Sequence, residues 1–104
     1  MRALVCKEYG PPSQLILDDL DDPKPSKGQI LIKVKAAGIN FPDVLSIEGK
    51  YQVKTEPPFI PGNEASGIIE AVGEGVERFK PGDQVITMSK GGAFAEKCVS
   101  DENT

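Results

Sequence analysis

Apolar positions recur at short period along this chain, broken by glycine and proline, which is the pattern of short β-strands. Residues 2–7 read as a first strand and 14–18 as its partner across the turn Tyr9-Gly10-Pro11-Pro12. Residues 29–37 alternate most cleanly, with Ile30, Ile32 and Val34 on one side and Leu31, Lys33 and Lys35 on the other. Beyond Gly38 the period changes. Asn40 offers a helix N-cap, Pro42 is permitted in a first turn, and Asp43 suits the positive end of a helix dipole. Phe41, Val44 and Leu45 then share a face and Gly49 stops the segment, so a helix of about two turns is expected. Residues 51–61 read as a loop, because Pro57, Pro58 and Pro61 forbid regular structure. Strands follow at 65–72, 84–88 and 93–99, with Gly67 marking a bulge or a close backbone approach. Six short strands with one or two short helices predict a mainly β fold, a small and partly open β-barrel.

Composition narrows the chemistry more than the fold. The 104 residues suit a single domain or a piece of a larger one, and they include no histidine. Every mechanism that needs an imidazole is thereby excluded from this chain. The net charge of −4, with lysine and arginine scattered, leaves no basic footprint for nucleic acid or an anionic membrane. No apolar run reaches the length of a membrane span, and the opening residues do not resemble a signal peptide, so a cytoplasmic protein is expected. Cys6 and Cys98 stand in no metal spacing and read as packing residues or idle thiols. The acidic run from Asp18 to Asp22 lacks the spacing and closing Glu of a calcium loop and reads as a solvated loop. Gly73-Glu74-Gly75 has Arg78 where a dinucleotide fingerprint needs its third glycine, and Lys90-Gly91-Gly92 lacks the spacing of a phosphate loop.

Three motifs stand in order along the chain: Ala36-Ala37-Gly38-Ile39-Asn40-Phe41-x-Asp43, then Pro61-Gly62-Asn63-Glu64-x-x-Gly67-x-Ile69-x-x-Val72-Gly73-x-Gly75-Val76, then Phe79-x-x-Gly82-Asp83-x-Val85. Together they resemble the N-terminal, GroES-like part of the medium-chain dehydrogenase/reductase superfamily, and within it the NAD(P)H-dependent quinone oxidoreductases. The resemblance implies a GroES-like β-barrel over residues 1–104 and a Rossmann cofactor domain that these residues do not contain. Zinc-dependent members carry Cys and His at the positions matching Asn40 and Asn63. Two carboxamides are poor substitutes for thiolate and imidazole around Zn²⁺, so no metal site is expected. The lobe that holds a structural zinc in many relatives is missing too, and Glu64 is expected to be a buried or half-buried carboxylate paired with a donor.

The resemblance further implies hydride transfer from NADPH (or NADH) to a quinone or an α,β-unsaturated carbonyl. Asn40 and Tyr51 match cleft positions and are the expected catalytic residues, Asn40 as polar orienting group and Tyr51 as donor or cleft wall. Asn40, Phe41 and Asp43 are the expected cofactor-side residues. Residues 62–64 are expected to shape the cleft floor. Asn40 could instead serve only as a helix cap, and Asp43 only as a first-turn acid. The same resemblance implies that the 104 residues alone are inactive and that the complete protein is a homodimer. The rival reading is a free-standing β-barrel module for interaction or assembly.

Overall fold

The computed structural model describes every residue except Val53, Lys90 and Thr104. The alternating segments become strands β1 (Arg2–Val5), β2 (Ile16–Asp19), β3 (Gln29–Gly38), β4 (Glu64–Val72), β5 (Gln84–Met88) and β6 (Lys97–Asp101), with one helix, α1 (Phe41–Glu48), after β3. β1 and β2 pair antiparallel, and a second antiparallel sheet runs in the order β5-β4-β3-β6. Its inner face carries the core of Ile30, Ile32, Ala65, Ile69, Ala93 and Cys98, against which Val34, Val72, Phe79 and Val85 pack. Lys33 and Lys35 are exposed as the alternation predicts, while Leu31 is buried on the opposite face.

The sheets do not close through backbone pairing. β5 and β6 are the two edges of the larger sheet, yet the hydroxyls of Thr87 on β5 and Ser100 on β6 are hydrogen-bonded to each other, and both residues are buried. The sheet therefore curls until its edges face one another and side chains join them, which is the partly open barrel. Gly67 shows both expected features. A bulge interrupts the β3–β4 register between Val34 and Ala36, and a Cβ at Gly67, opposite Val34, would lie 2.1 Å from the Lys33 carbonyl oxygen.

Four expectations need correction. The first strand stops at Val5, and Cys6 makes only a single bridge to Phe59. A 3₁₀ turn occupies Pro12–Gln14, so β2 starts at Ile16. Residues 93–96 are not strand: their N–H groups are shared among separate partners, Ala93 with Gly62, Phe94 with Pro61 and Glu96 with Arg2. On α1 the buried positions are Asp43 and Ile47, whereas Phe41 is 74% exposed. Ile47 lies one turn on from Asp43, so the face that buries Ile47 also brings Asp43 inward, where the Asn40 N–H meets one of its carboxylate oxygens.

The acidic run is exposed at Asp19, Asp21 and Asp22, as expected of a solvated segment, but Asp18 and Asp19 belong to β2 and the run is ion-paired. Lys7 reaches Asp18 at 3.2 Å, the Met1 ammonium reaches Asp19 and Asp22 at 3.2 Å each, and Lys97 joins Asp22 (2.9 Å) to Glu70 on β4 (2.8 Å). The Lys97 hydrogen bond is the first cause holding the Asp22 carboxyl below its ordinary value of 3.8, and the N-terminal ammonium adds to it. A depressed carboxyl stabilises the fold above its unfolded pKa, and that contribution is lost as pH falls through the folded value. The thermal midpoint should therefore fall as pH drops below about 4. Asp22→Asn should flatten part of that acid limb; an acid limb identical to wild type would remove Asp22 from the explanation.

Candidate functional site

The site grows from the junction of β3 and α1. Asn40 has extended backbone (φ −125°, ψ 162°), and the Asp43 N–H bonds to its carbonyl at 3.0 Å. The Asp43 carboxylate returns the contact, with Oδ2 accepting the Asn40 N–H at 2.8 Å. The Asn40 carboxamide oxygen faces the Asp43 N–H in a capping-box arrangement, and its N–H₂ has no partner among the described residues. At the other end Gly49 adopts φ 72°, and the Lys50 N–H closes onto the Leu45 carbonyl at 2.8 Å.

Asp43 is only 1% exposed, and its second oxygen, Oδ1, has no hydrogen-bond partner among the described residues. A buried carboxylate oxygen without a donor is rare and costly, on the order of 1–3 kcal/mol. Asp43 forms part of the walls of two cavities. One, of about 640 Å³, lies between the β1–β2 hairpin, α1 and residues 55–63, with Ser46, Thr55 and Asn63 as its polar wall and the Lys7–Asp18 ion pair at its side. The other, of about 400 Å³, is almost wholly apolar and includes Ile39, Val44, Ile47 and Phe94.

The floor of the larger cavity is backbone-built. The carbonyls of Ile60, Pro61 and Gly62 accept the N–H groups of Gly92 (2.8 Å), Phe94 (3.0 Å) and Ala93 (3.2 Å). Gly62 has φ 105°, and a Cβ there would come within 2.6 Å of the Phe94 ring. Of residues 62–64, Gly62 and Asn63 line this cavity and Glu64 does not. Glu64 is half-buried beside Gly38, but its carboxylate has no hydrogen bond or ion pair among the described residues, so the expected donor is not found.

The structure joins Asn40 to Asp43 directly, with Phe41 exposed next to them. Tyr51 is half-buried and follows α1 in the chain, with Asn40 at the other end of that helix, whose eight residues span about 12 Å. Of the four expected residues only Asp43 reaches the larger cavity. Sequence reasoning passed over Ser46, whose signal is its i+3 spacing from Asp43, and Thr55 and Tyr9, whose partnership spans 46 positions and has no local signal. The Tyr9 hydroxyl donates to the Thr55 carbonyl at 2.6 Å, and desolvation, with Glu56 adding charge, pushes the phenol pKa up. Burial raises both thiols, at Cys6 and Cys98, which keeps them protonated and unreactive. Among the described residues no three His, Cys, Asp or Glu side chains converge as a metal set, and no helix is long and apolar enough to cross a membrane.

Residues 26–104 match the alcohol dehydrogenase GroES-like domain family. A quinone oxidoreductase of Rattus norvegicus is 42% identical over 106 aligned residues, covering 100% of this chain and 32% of the rat protein. An alcohol dehydrogenase of Moraxella is 45% identical over 85 residues, 82% of this chain and 25% of that protein. A mycobacterial protein solved as a complex with NADPH superposes with a TM-score of 0.90 at 39% identity, over 97% of this chain and 31% of that one. The chain thus spans a third or less of the length of these proteins. With a helix capped between β3 and β4, a sheet curled to face its own edges and this extent of shared sequence, the chain belongs to the alcohol dehydrogenase GroES-like domain family, the N-terminal domain of medium-chain dehydrogenases/reductases related to quinone oxidoreductase.

Proposed function

We propose that these residues are the substrate-side part of an NAD(P)H-dependent reductase of quinones or α,β-unsaturated carbonyls that works without zinc. The reaction is drawn from the relatives named quinone oxidoreductase, at 42% identity across the chain in the rat protein. The observation that carries the metal-free reading is the donor set. Around α1 and the cavity stand the carboxamides of Asn40 and Asn63, the hydroxyls of Ser46 and Thr55, the carboxylate of Asp43 and that of Asp18, which is paired with Lys7. Thiolate and imidazole, the donors that Zn²⁺ favours, are not among them, so the residues do not fit a catalytic zinc and no step is routed through one.

A nicotinamide fits better. Asp43 Oδ1, buried and without a donor, suits a ligand group that brings an N–H or O–H. Asn40, Phe41 and Asp43 would border the nicotinamide, which supplies the hydride when bound. Negative charge then grows on the substrate oxygen. The Asn40 carboxamide is exposed and turns only its oxygen to the cap, so it can offer its N–H₂ to the substrate oxygen, and solvent supplies the second donor and the proton. Tyr51, in the loop that follows α1, takes the role of cleft wall. The Rossmann domain, and dimerisation through it, lie outside residues 1–104; the complete protein is cytoplasmic and has no nucleic-acid or membrane partner.

The test is to assay the complete protein for NADPH oxidation with 1,4-benzoquinone and with an enone, alongside elemental analysis. Turnover at less than stoichiometric zinc is expected, with none from residues 1–104 alone. One tightly held zinc per chain, or enzyme-like turnover by residues 1–104, would contradict the proposal.

A further inference from the structure

One side chain grips the segment that follows α1 at two points. The Tyr9 ring covers Gly49, where a Cβ would come within 2.7 Å of the ring's Cγ, and Gly49 is the left-handed residue that ends the helix. The Tyr9 hydroxyl then donates to the Thr55 carbonyl at 2.6 Å, and the neighbouring Gly10 N–H bonds to the Ile47 carbonyl at 3.1 Å. Tyr51 lies between the two grips, and Thr55 belongs to the cavity wall. No other side-chain hydrogen bond reaches residues 50–55 among the described residues.

We propose that Tyr9 is a positioning residue: by covering Gly49 and holding the Thr55 carbonyl it fixes the loop that carries Tyr51 and so sets the affinity for substrate. This rests on the assignment of Tyr51 to the cleft wall. The geometry favours a local role. The bond joins a turn after β1 to a loop after α1, both outside the two sheets, so losing it frees the loop while leaving the strand pairing whole. A phenol suits both grips, because its ring excludes water from Gly49 while its rigid O–H reaches across to Thr55.

The test is Tyr9→Phe in the complete protein, which keeps the ring on Gly49 and removes only the hydroxyl. Hydrogen exchange read by mass spectrometry should show residues 50–56 exchanging about three- to tenfold faster, with β3 and β4 unchanged. The KM for 1,4-benzoquinone should rise by a similar factor while kcat stays within about twofold. Unchanged loop exchange, exchange accelerated evenly through β3 and β4, or an unchanged KM would each overturn the proposal. A wild-type protein that turns over neither quinone nor enone sinks the reductase reading instead, and the exchange pattern still decides whether Tyr9 holds the loop.

Discussion

Asn40→Ala in the complete protein is expected, on the proposed reductase function, to lower kcat/KM for a quinone by about ten- to a thousandfold, the range for removing one donor to a developing oxyanion. The physical ground is that the Asn40 carboxamide is exposed at the mouth of α1 with only its oxygen facing the Asp43 N–H, so its N–H₂ is available to substrate. Alanine also weakens a helix start, at about 1 kcal/mol, and this must be separated from the chemistry. Asn40→Asp does so. A carboxylate still caps the helix, but it has no N–H to donate and places negative charge where the substrate oxygen gains its own. Activity should fall at least as far as in the alanine variant, with thermal stability close to wild type. An unchanged kcat/KM in both variants would reduce Asn40 to a cap.

Gly67→Ala is expected to be strongly destabilising. At Gly67 a Cβ would sit 2.1 Å from the Lys33 carbonyl oxygen and 2.8 Å from Ile32 Cγ2, in the central β3–β4 pair. Backbone of a central strand cannot yield as a side-chain tip can, so β3 must shift away from β4 and take Ile32, fully buried in the core, with it. The cost should be about 3 kcal/mol or more, which for a domain of this size lowers the melting midpoint by about 12–24 °C. Ser66→Ala, one position earlier and half-buried, is the control and should stay within about 0.5 kcal/mol of wild type. A Gly67→Ala protein that melts like the control would mean that β3 has slack at the bulge.

Caps and turns carry most of the legible part of the site. Asn40 starts α1 and Gly49 ends it where the residues on either side say they should, because cap preferences act within four residues of backbone. The helix face departs from expectation. Apolar spacing within the helix favours Phe41, Val44 and Leu45, whereas the fold buries the face of Ile47 and Asp43, and the Asn40 N–H meets one oxygen of the buried acid.

By itself the amino-acid order determined the strand count, the positions of α1 and Gly67, the lack of any imidazole and the kinship with quinone oxidoreductases. All of these rest on backbone preferences, periodicity or residue identity, which are properties of neighbours in the chain. Only the tertiary structure decided that Thr87 and Ser100 join the two sheet edges, that Lys97 ties Asp22 to Glu70, that Asp43 keeps a buried oxygen without a donor, and that Tyr9 holds Thr55. Each of these depends on which distant segments the curling of the sheet brings together. No local pattern of polar and apolar residues encodes that choice, because the same pattern is compatible with several strand orders and only the packed core selects one.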